Sequence, residues 1–120
     1  MAFEITATRR FAASHQLRLY DGSLEELHGH DWQVKVTVAA ENLDAIGVVM
    51  DFHELGRLLD AAIGPMQNRR LNDLTALSQA NPSAENVALH IGRSLSLPPH
   101  VRLVCVEVWE TADFSAVYRP

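Results

Sequence analysis

Residues 28–40 read HGHDWQVKVTVAA, and this stretch decides the fold because its polar and apolar residues alternate. From Trp32 onward the apolar side chains occupy the even positions, while Gln33, Lys35 and Thr37 occupy the odd ones. A period of two is that of a β-strand with one face in the core. Carried back to the start of the stretch, the same parity predicts that His28 and His30 lie on the core side.

A partner strand is predicted upstream, over residues 3–15, which read FEITATRRFAASH. Its odd positions up to Ala13 are apolar except for Arg9. His15, at the end of the strand, is also an odd position and is therefore predicted to lie on the same face. Residues 16–27 contain the turn signal Asp21-Gly22-Ser23 and are expected to form a loop, or a loop with a short turn of helix. The two strands therefore form a hairpin with histidines at the same end.

A turn over residues 42–47 and a short extended return over 48–50 are expected to follow the second strand. A helix is then predicted from Asp51, which can cap it, to Ile63, and Gly64-Pro65 ends it. Its expected buried face comprises Phe52, Leu55, Leu59, Ala62 and Ile63.

A second helix is predicted to begin after Ser83 as its cap and to end at Pro98-Pro99. Two further strands are expected over residues 101–110 and 114–119, which gives the order ββααββ. Two antiparallel hairpins with both helices on one face make an α+β domain. The other sheet face is then solvated or covered by another subunit. The buried stripe expected of the second helix comprises Ala84, Val87, Ala88, Ile91 and Leu95.

Composition and charge limit the partners of this 120-residue chain. Its formal charge is −5 and its ten Lys and Arg residues cluster no further than pairs, which argues against nucleic acid and against a membrane surface. No apolar stretch approaches the ~20 residues of a membrane span. The single cysteine, Cys105, excludes an internal disulfide. We expect one domain, residues 1–120, in the cytoplasm.

His15, His28 and His30 are predicted to bind one zinc ion. Residues two apart in a strand have Cα atoms about 6.5–7 Å apart, so both imidazoles of His28-Gly29-His30 can reach one ion. Three imidazoles with an open fourth position are typical of catalytic zinc; a structural zinc site usually has four protein ligands and favours cysteine. The alternative is that these are polar residues at a hairpin end. The other three histidines are expected to be structural or exposed: His53, His90 and His100.

Six short motifs, spread over nearly the whole chain, resemble the 6-pyruvoyl-tetrahydropterin synthase family, which includes the 6-carboxytetrahydropterin synthases of queuosine and deazaguanine biosynthesis. Each motif alone is weak, but six in the right order are specific. The motifs are Phe11-Ala12-Ala13-Ser14-His15, Leu27-His28-Gly29-His30, Val49-Met50-Asp51-Phe52, Leu71-Asn72, Asn81-Pro82-Ser83-Ala84-Glu85-Asn86 and Val108-Trp109-Glu110-Thr111.

The resemblance implies a tunnelling fold (T-fold), in which trimers close their sheets into a barrel and two trimers commonly stack into a hexamer. It also implies that the three histidines bind zinc and that Glu110, with Thr111 beside it, binds a pterin. A carboxylate can accept two parallel N–H bonds from the edge of a pterin or guanine. Without the resemblance, Glu110 would be interpreted as a solvated charge at a strand end.

The residues that the family uses for proton transfer are absent here. Leu24 stands where the family has a cysteine, and Gln67 and Asn68 stand where it has an Asp-His pair. Glu25 and Glu26 lie in the same loop and are candidate bases, as in a branch of the family that cleaves the dihydroneopterin side chain; the alternative is that they are solvated charges.

Two functions therefore stay open. The first is a zinc-dependent lyase that acts on dihydroneopterin or its triphosphate, with Glu25 or Glu26 as base. The second is a non-catalytic pterin- or purine-binding homologue that keeps the metal and Glu110.

Overall fold

The computed structural model describes all 120 residues, which form a five-stranded sheet and three α-helices. The first two strands have the predicted bounds. The order ββααββ is incomplete, because a two-residue strand and a one-turn helix lie between the two long helices. The elements are β1 (Phe3–His15), β2 (His28–Ala40), α1 (Phe52–Ile63), β3 (Arg69–Arg70), α2 (Thr75–Ser78), α3 (Ala84–Arg93), β4 (Arg102–Thr111) and β5 (Phe114–Tyr118).

The strand order across the sheet is β3-β1-β2-β4-β5. Its four long strands pair antiparallel, and only β3 runs parallel to its neighbour β1. The segment before β3 is fixed to the edge of β1 at one residue, Ala12. The backbone N–H of Ala12 donates to Gln67 Oε1 at 3.0 Å, and its carbonyl accepts from the backbone N–H of Asn68 at 2.7 Å. Asn68 has a φ of 57°, a conformation that asparagine tolerates better than most residues.

The core lies between one sheet face and the helices, as the alternation predicts. Trp32, Val34 and Val36 on β2 are fully buried. They pack in one cluster with Leu55 and Leu59 of α1, among others. Arg9, the charged residue on the apolar parity of β1, directs its guanidinium to α1, where Nε donates to Asp60 Oδ1 at 2.7 Å. The apolar face of β1 therefore accommodates the charge of Arg9, because Asp60 on the covering helix α1 pairs with it.

Both predicted helix caps are confirmed. Asp51 accepts from the backbone N–H of Glu54 at the start of α1, and Ser83 accepts from that of Asn86 at the start of α3. One member of the predicted buried face of α1 is wrong. Phe52 is 67% exposed, because it is the first residue of the helix and lies beyond the sheet-covering turns.

The second long helix is shorter than predicted. It ends at Arg93 rather than at the prolines, because Ser94 closes its last turn by donating from its backbone N–H and from Oγ to the carbonyl of His90. Leu95 therefore lies outside the helix, although it packs partly buried against the core.

Residues 48–50 form no strand. The turn predicted over residues 42–47 is present, because the Asp44 carboxylate accepts the backbone N–H groups of Ile46 and Val48 and Gly47 has a φ of 83°. Val49 and Met50 then form a bend instead of the expected extended return. The last two strands end within one residue of their predicted bounds. None of the helices has the length and apolar character needed to cross a lipid bilayer.

Candidate metal centre

The end of β1 and the start of β2 bring the three predicted histidines together. In the antiparallel register His15 is opposite His28, and Ala13 is opposite His30. All three side chains lie on the same side of the hairpin. Their ring centroids are 4.6, 4.8 and 5.2 Å apart, and Trp32 lies beneath them with its centroid 4.9 Å from that of His15. The predicted convergence of the three imidazoles is thus present in the fold.

Backbone carbonyls fix the orientation of two of the rings. His15 donates from Nδ1 to the carbonyl of Pro82 at 2.7 Å, and His28 donates from Nδ1 to that of Glu26 at 2.8 Å. Because a neutral imidazole carries one N–H, Nε2 of each ring is left with a lone pair. Such carbonyl partners are usual for histidines that bind a metal.

Glu110 is the fourth member of the group. Its Oε1 atom lies 3.0 Å from Nε2 of His15, 2.9 Å from Nε2 of His30 and 3.8 Å from Nε2 of His28. The pairing of β4 with β5 shifts register between Trp109 and Thr111, so Glu110 is the extra residue of a β-bulge. Bulges occur often at functional sites. Glu110 keeps the parity of Val106 and Val108, which are buried in the core, so regular alternation already directs its side chain to the side of the imidazoles.

One side of the group is closed and the other is accessible. The side chain of His15 is 1% exposed, whereas those of His28 and Glu110 are 38% and 31% exposed. Burial lowers the pKa of His30, and the nearby His15 and His28 lower it further, while the Glu110 carboxylate opposes the shift. A lowered pKa keeps the imidazole neutral, which is the form that binds a metal.

The four residues fit a zinc ion. Their ligand atoms all lie within 4.8 Å of one another. Nε2 of His30 is buried and makes no hydrogen bond, although the Glu110 oxygen is close. A nitrogen lone pair and a carboxylate oxygen that face each other repel unless a cation or a proton lies between them. Imidazole nitrogens with a carboxylate oxygen are ligands that zinc prefers.

Glu25 lies beside this group and Glu26 does not contribute its side chain. Oε1 of Glu25 is 4.0 Å from Nε2 of His28 and accepts the backbone N–H of Leu17 at 2.9 Å. Glu26 is exposed and faces His28 only through its carbonyl. Of the two candidate bases, the structure brings Glu25 to the histidines.

Two asparagines from the recognised motifs hold the loop that carries Glu25. Asn72 accepts the backbone N–H of Gln16 and donates to its carbonyl, at 3.0 and 2.8 Å. Asn81 does the same for Arg18, at 2.7 and 2.9 Å. Each side-chain amide thus forms hydrogen bonds with both the backbone N–H and the backbone carbonyl of one loop residue. The sequence motifs contained these asparagines, but their partners could be identified only from the fold.

The other predicted positions lie outside the group. Leu24 is 53% exposed, and Gln67 and Asn68 are hydrogen-bonded to the edge of β1, so none of them faces the histidines with a titratable group. Thr111 is exposed and lines a separate cavity with Arg10, Gln33 and Trp109, among others. Its assignment to pterin binding stays a prediction.

A cleft of about 530 Å³ opens next to His30. Its two basic side chains, Arg69 and Arg70, come from β3, an element that the sequence pattern did not predict. The residues that line it are Ala12, Ala13, Ser14, Gly29, His30, Asp31, Asn68, Arg69 and Arg70.

Known proteins agree with the fold and with the motifs. The chain is 34% identical over 106 residues to a dihydroneopterin monophosphate aldolase of Pyrococcus furiosus, which covers 87% of this chain and 86% of the relative. It is 34% identical over 113 residues to a 6-carboxy-5,6,7,8-tetrahydropterin synthase of Synechocystis, which covers 90% and 86%.

Among solved structures, the 6-pyruvoyl tetrahydropterin synthase of Caenorhabditis elegans superposes with a TM-score of 0.85 at 21% identity, covering 100% of this chain and 96% of that one. At this identity the likeness shows the fold, the α+β T-fold of these synthases. The family model for 6-pyruvoyl tetrahydropterin synthase matches residues 4–120. The chain therefore belongs to the 6-pyruvoyl tetrahydropterin synthase family of pterin-processing enzymes.

Proposed function

We propose that this protein is a zinc-dependent lyase that cleaves the side chain of a dihydropterin in an aldolase-like step. The observation that carries the proposal is the position of Glu25, whose carboxylate lies 4.0 Å from Nε2 of His28 and is held by the Leu17 N–H. A carboxylate at this position beside the proposed metal ligands can accept a proton from a substrate hydroxyl. The similarity to a protein named as a dihydroneopterin monophosphate aldolase supports the same reaction class.

Each residue has a stated role in the proposed reaction. His15, His28 and His30 hold zinc, which when bound polarises the hydroxyl oxygens of the substrate side chain. Glu110 accepts the N–H edge of the pterin. Glu25 removes the proton from the hydroxyl on the second carbon of the side chain, the bond between the first and second carbons breaks, and the second carbon leaves as an aldehyde. The electron pair is delocalised into the pterin ring, and the first carbon then takes the proton back from Glu25 to give the shortened pterin.

The test is conversion of defined substrates by zinc-loaded protein. Dihydroneopterin, its monophosphate and its triphosphate are incubated separately with the protein, and the released aldehyde and the shortened pterin are quantified. We expect the pterin and aldehyde products from at least one of the three. If none is converted at full zinc occupancy, the proposed lyase is wrong.

The second candidate is a pterin- or purine-binding protein without catalysis. It is favoured by Gln67 and Asn68, which stand in place of the family's Asp-His pair and serve to fix β1. Tight pterin binding without turnover, lost in Glu110→Gln, supports this candidate; turnover excludes it.

We also propose that the protein acts in the cytoplasm as a homo-oligomer, a trimer or a hexamer. The sheet face opposite the helices carries polar residues and is covered by no element of the chain. Light scattering of the purified protein tests the assembly, and a monomeric mass contradicts it.

A further inference from the structure

We propose that Glu110 is a displaceable fourth ligand of the metal, which closes the coordination sphere until a pterin draws the carboxylate away. The first support is distance. A tetrahedral site with bonds of about 2.0–2.1 Å has ligand atoms about 3.3–3.4 Å apart. Oε1 of Glu110 lies 2.9, 3.0 and 3.8 Å from the three Nε2 atoms, which brackets that separation.

The second support is that the Glu110 carboxylate has no partner other than the histidines. Its Oε1 atom lies 3.0 Å from Nε2 of His15, and the rings of His15 and His28 already donate from Nδ1 to the carbonyls of Pro82 and Glu26. In their neutral form these two rings present lone pairs to the carboxylate, which is unfavourable unless a proton or a cation lies between them. A divalent cation removes this conflict, and the carboxylate neutralises part of its charge.

The third support is that the position of Glu110 is adjustable. It is the extra residue of a bulge, and its carboxylate contacts only the histidines, whereas the rings of His15 and His28 are anchored at Nδ1 by backbone carbonyls. These two imidazoles are therefore held independently of Glu110, and the carboxylate is the ligand that can leave. This displacement rests on the proposed pterin-binding role of Glu110, but the ligation itself does not.

Ligation is tested by the zinc affinity of pterin-free protein, measured in competition with a chelating dye. We expect Glu110→Gln to weaken zinc binding about 10–100-fold, the range measured for lost support of a metal site. The matched control is Glu107→Gln. It removes the same charge from the same strand, but Glu107 accepts from Ser115 Oγ instead of facing the histidines. An equal zinc affinity in the two variants overturns the proposal.

Displacement is tested with pterin that has no side chain at C6, so that it can reach Glu110 but offers no hydroxyl to the metal. Because coupling between two sites is reciprocal, zinc is expected to weaken pterin binding to the wild type at least threefold. Equal or tighter binding to the zinc-loaded protein rejects displacement.

These outcomes are separable from the proposed reaction. If Glu110→Gln loses zinc affinity but the wild type converts no dihydroneopterin compound, the lyase is refuted and the fourth ligand is supported. If the wild type converts one of these compounds but Glu110→Gln keeps its zinc affinity, the lyase is supported and the fourth ligand is refuted.

Discussion

Nδ1 of His15 donates a hydrogen bond of 2.7 Å to the carbonyl of Pro82, which joins the end of β1 to the segment before α3. The bond has two effects. It orients Nε2 of His15 toward the other two imidazoles and Glu110, and it gives the buried carbonyl of Pro82 a hydrogen-bond donor, next to Ser83, which caps α3. His28 and His30 are more exposed and have no comparable link to a helix.

We expect His28→Ala and His30→Ala to remove zinc without unfolding the protein. Each loses one imidazole ligand, so zinc affinity should fall about 100-fold or more, beyond the cost of losing an outer partner. Metal content after dialysis and far-ultraviolet circular dichroism measure the two effects. His53→Ala, which alters an exposed histidine of α1, is the control and should keep full metal content. Global unfolding of either site variant would contradict a site with an accessible position.

His15→Ala should both remove zinc and destabilise the fold. The Pro82 carbonyl loses its donor, which costs about 1–3 kcal/mol for a buried group, and a cavity forms beside Trp32. Urea unfolding of the metal-free protein, compared with metal-free His28→Ala, separates this from the loss of zinc. Equal unfolding free energies for the two variants would show that the Pro82 bond contributes little.

Glu25→Gln should lower turnover about 10²–10⁴-fold, the contribution typical of a general base. The amide oxygen can still accept the Leu17 N–H, so the loop should keep its structure. Glu26→Gln is the matched control, because it removes the same charge one residue away from a side chain that is exposed. A larger loss in Glu26→Gln than in Glu25→Gln would reverse the assignment.

Gly92→Ala should destabilise the protein. A Cβ at this position of α3 would lie 2.9 Å from two ring atoms of Tyr118 on β5 and 3.2 Å from Leu103, so a stiff ring must shift. Overpacking costs typically about 1–3 kcal/mol, which exceeds the roughly 1 kcal/mol gained in helix propensity. Gly64→Ala, where a Cβ meets nothing within 4 Å, is the control and should be neutral or stabilising. Thermal unfolding compares the two.

His90 should make folding stability depend on pH in weakly acidic solution. Burial on α3 lowers its pKa below the ordinary 6.5, so the unfolded chain binds a proton more readily than the folded one. The stability linked to this group is therefore present above pH 6.5 and is lost as the pH falls through the lowered value. His90→Gln removes the effect. The unfolding free energy of the wild type minus that of the variant, both metal-free, should decrease from pH 7.5 to 5. A constant value would contradict the burial effect.

The strands and the histidines could be predicted because local rules decide them. A period of two over residues 28–40 fixed both the strand and the face of His28 and His30, and tertiary packing agreed with it. Both caps were equally local, since Asp51 and Ser83 each act on an N–H three residues away. Parity also predicted that Glu110 lies on the side of Val106 and Val108.

The remaining features depend on contacts distant in sequence. β3 has two residues and no alternation of its own; it exists because Gln67 and Asn68 bind Ala12. The early end of α3 is an exception, because it depends on a local contact, from Ser94 to the carbonyl of His90, that the sequence prediction missed. The parity of β4 indicates the side on which Glu110 lies, but its closeness to the imidazoles depends on how β4 pairs with β2, which no local pattern specifies.

Because the ligands are divided between β1 and β2, the metal centre reports how the two strands are aligned. His15 faces His28 only in the observed register. A slip of one residue would turn the side chains of one strand to the other face and leave no set of three imidazoles. Under the proposed zinc ligation, zinc uptake by this chain therefore indicates correct strand alignment. It could be used to sort variants of the hairpin core at residues such as Val34 and Val36 without any knowledge of the substrate.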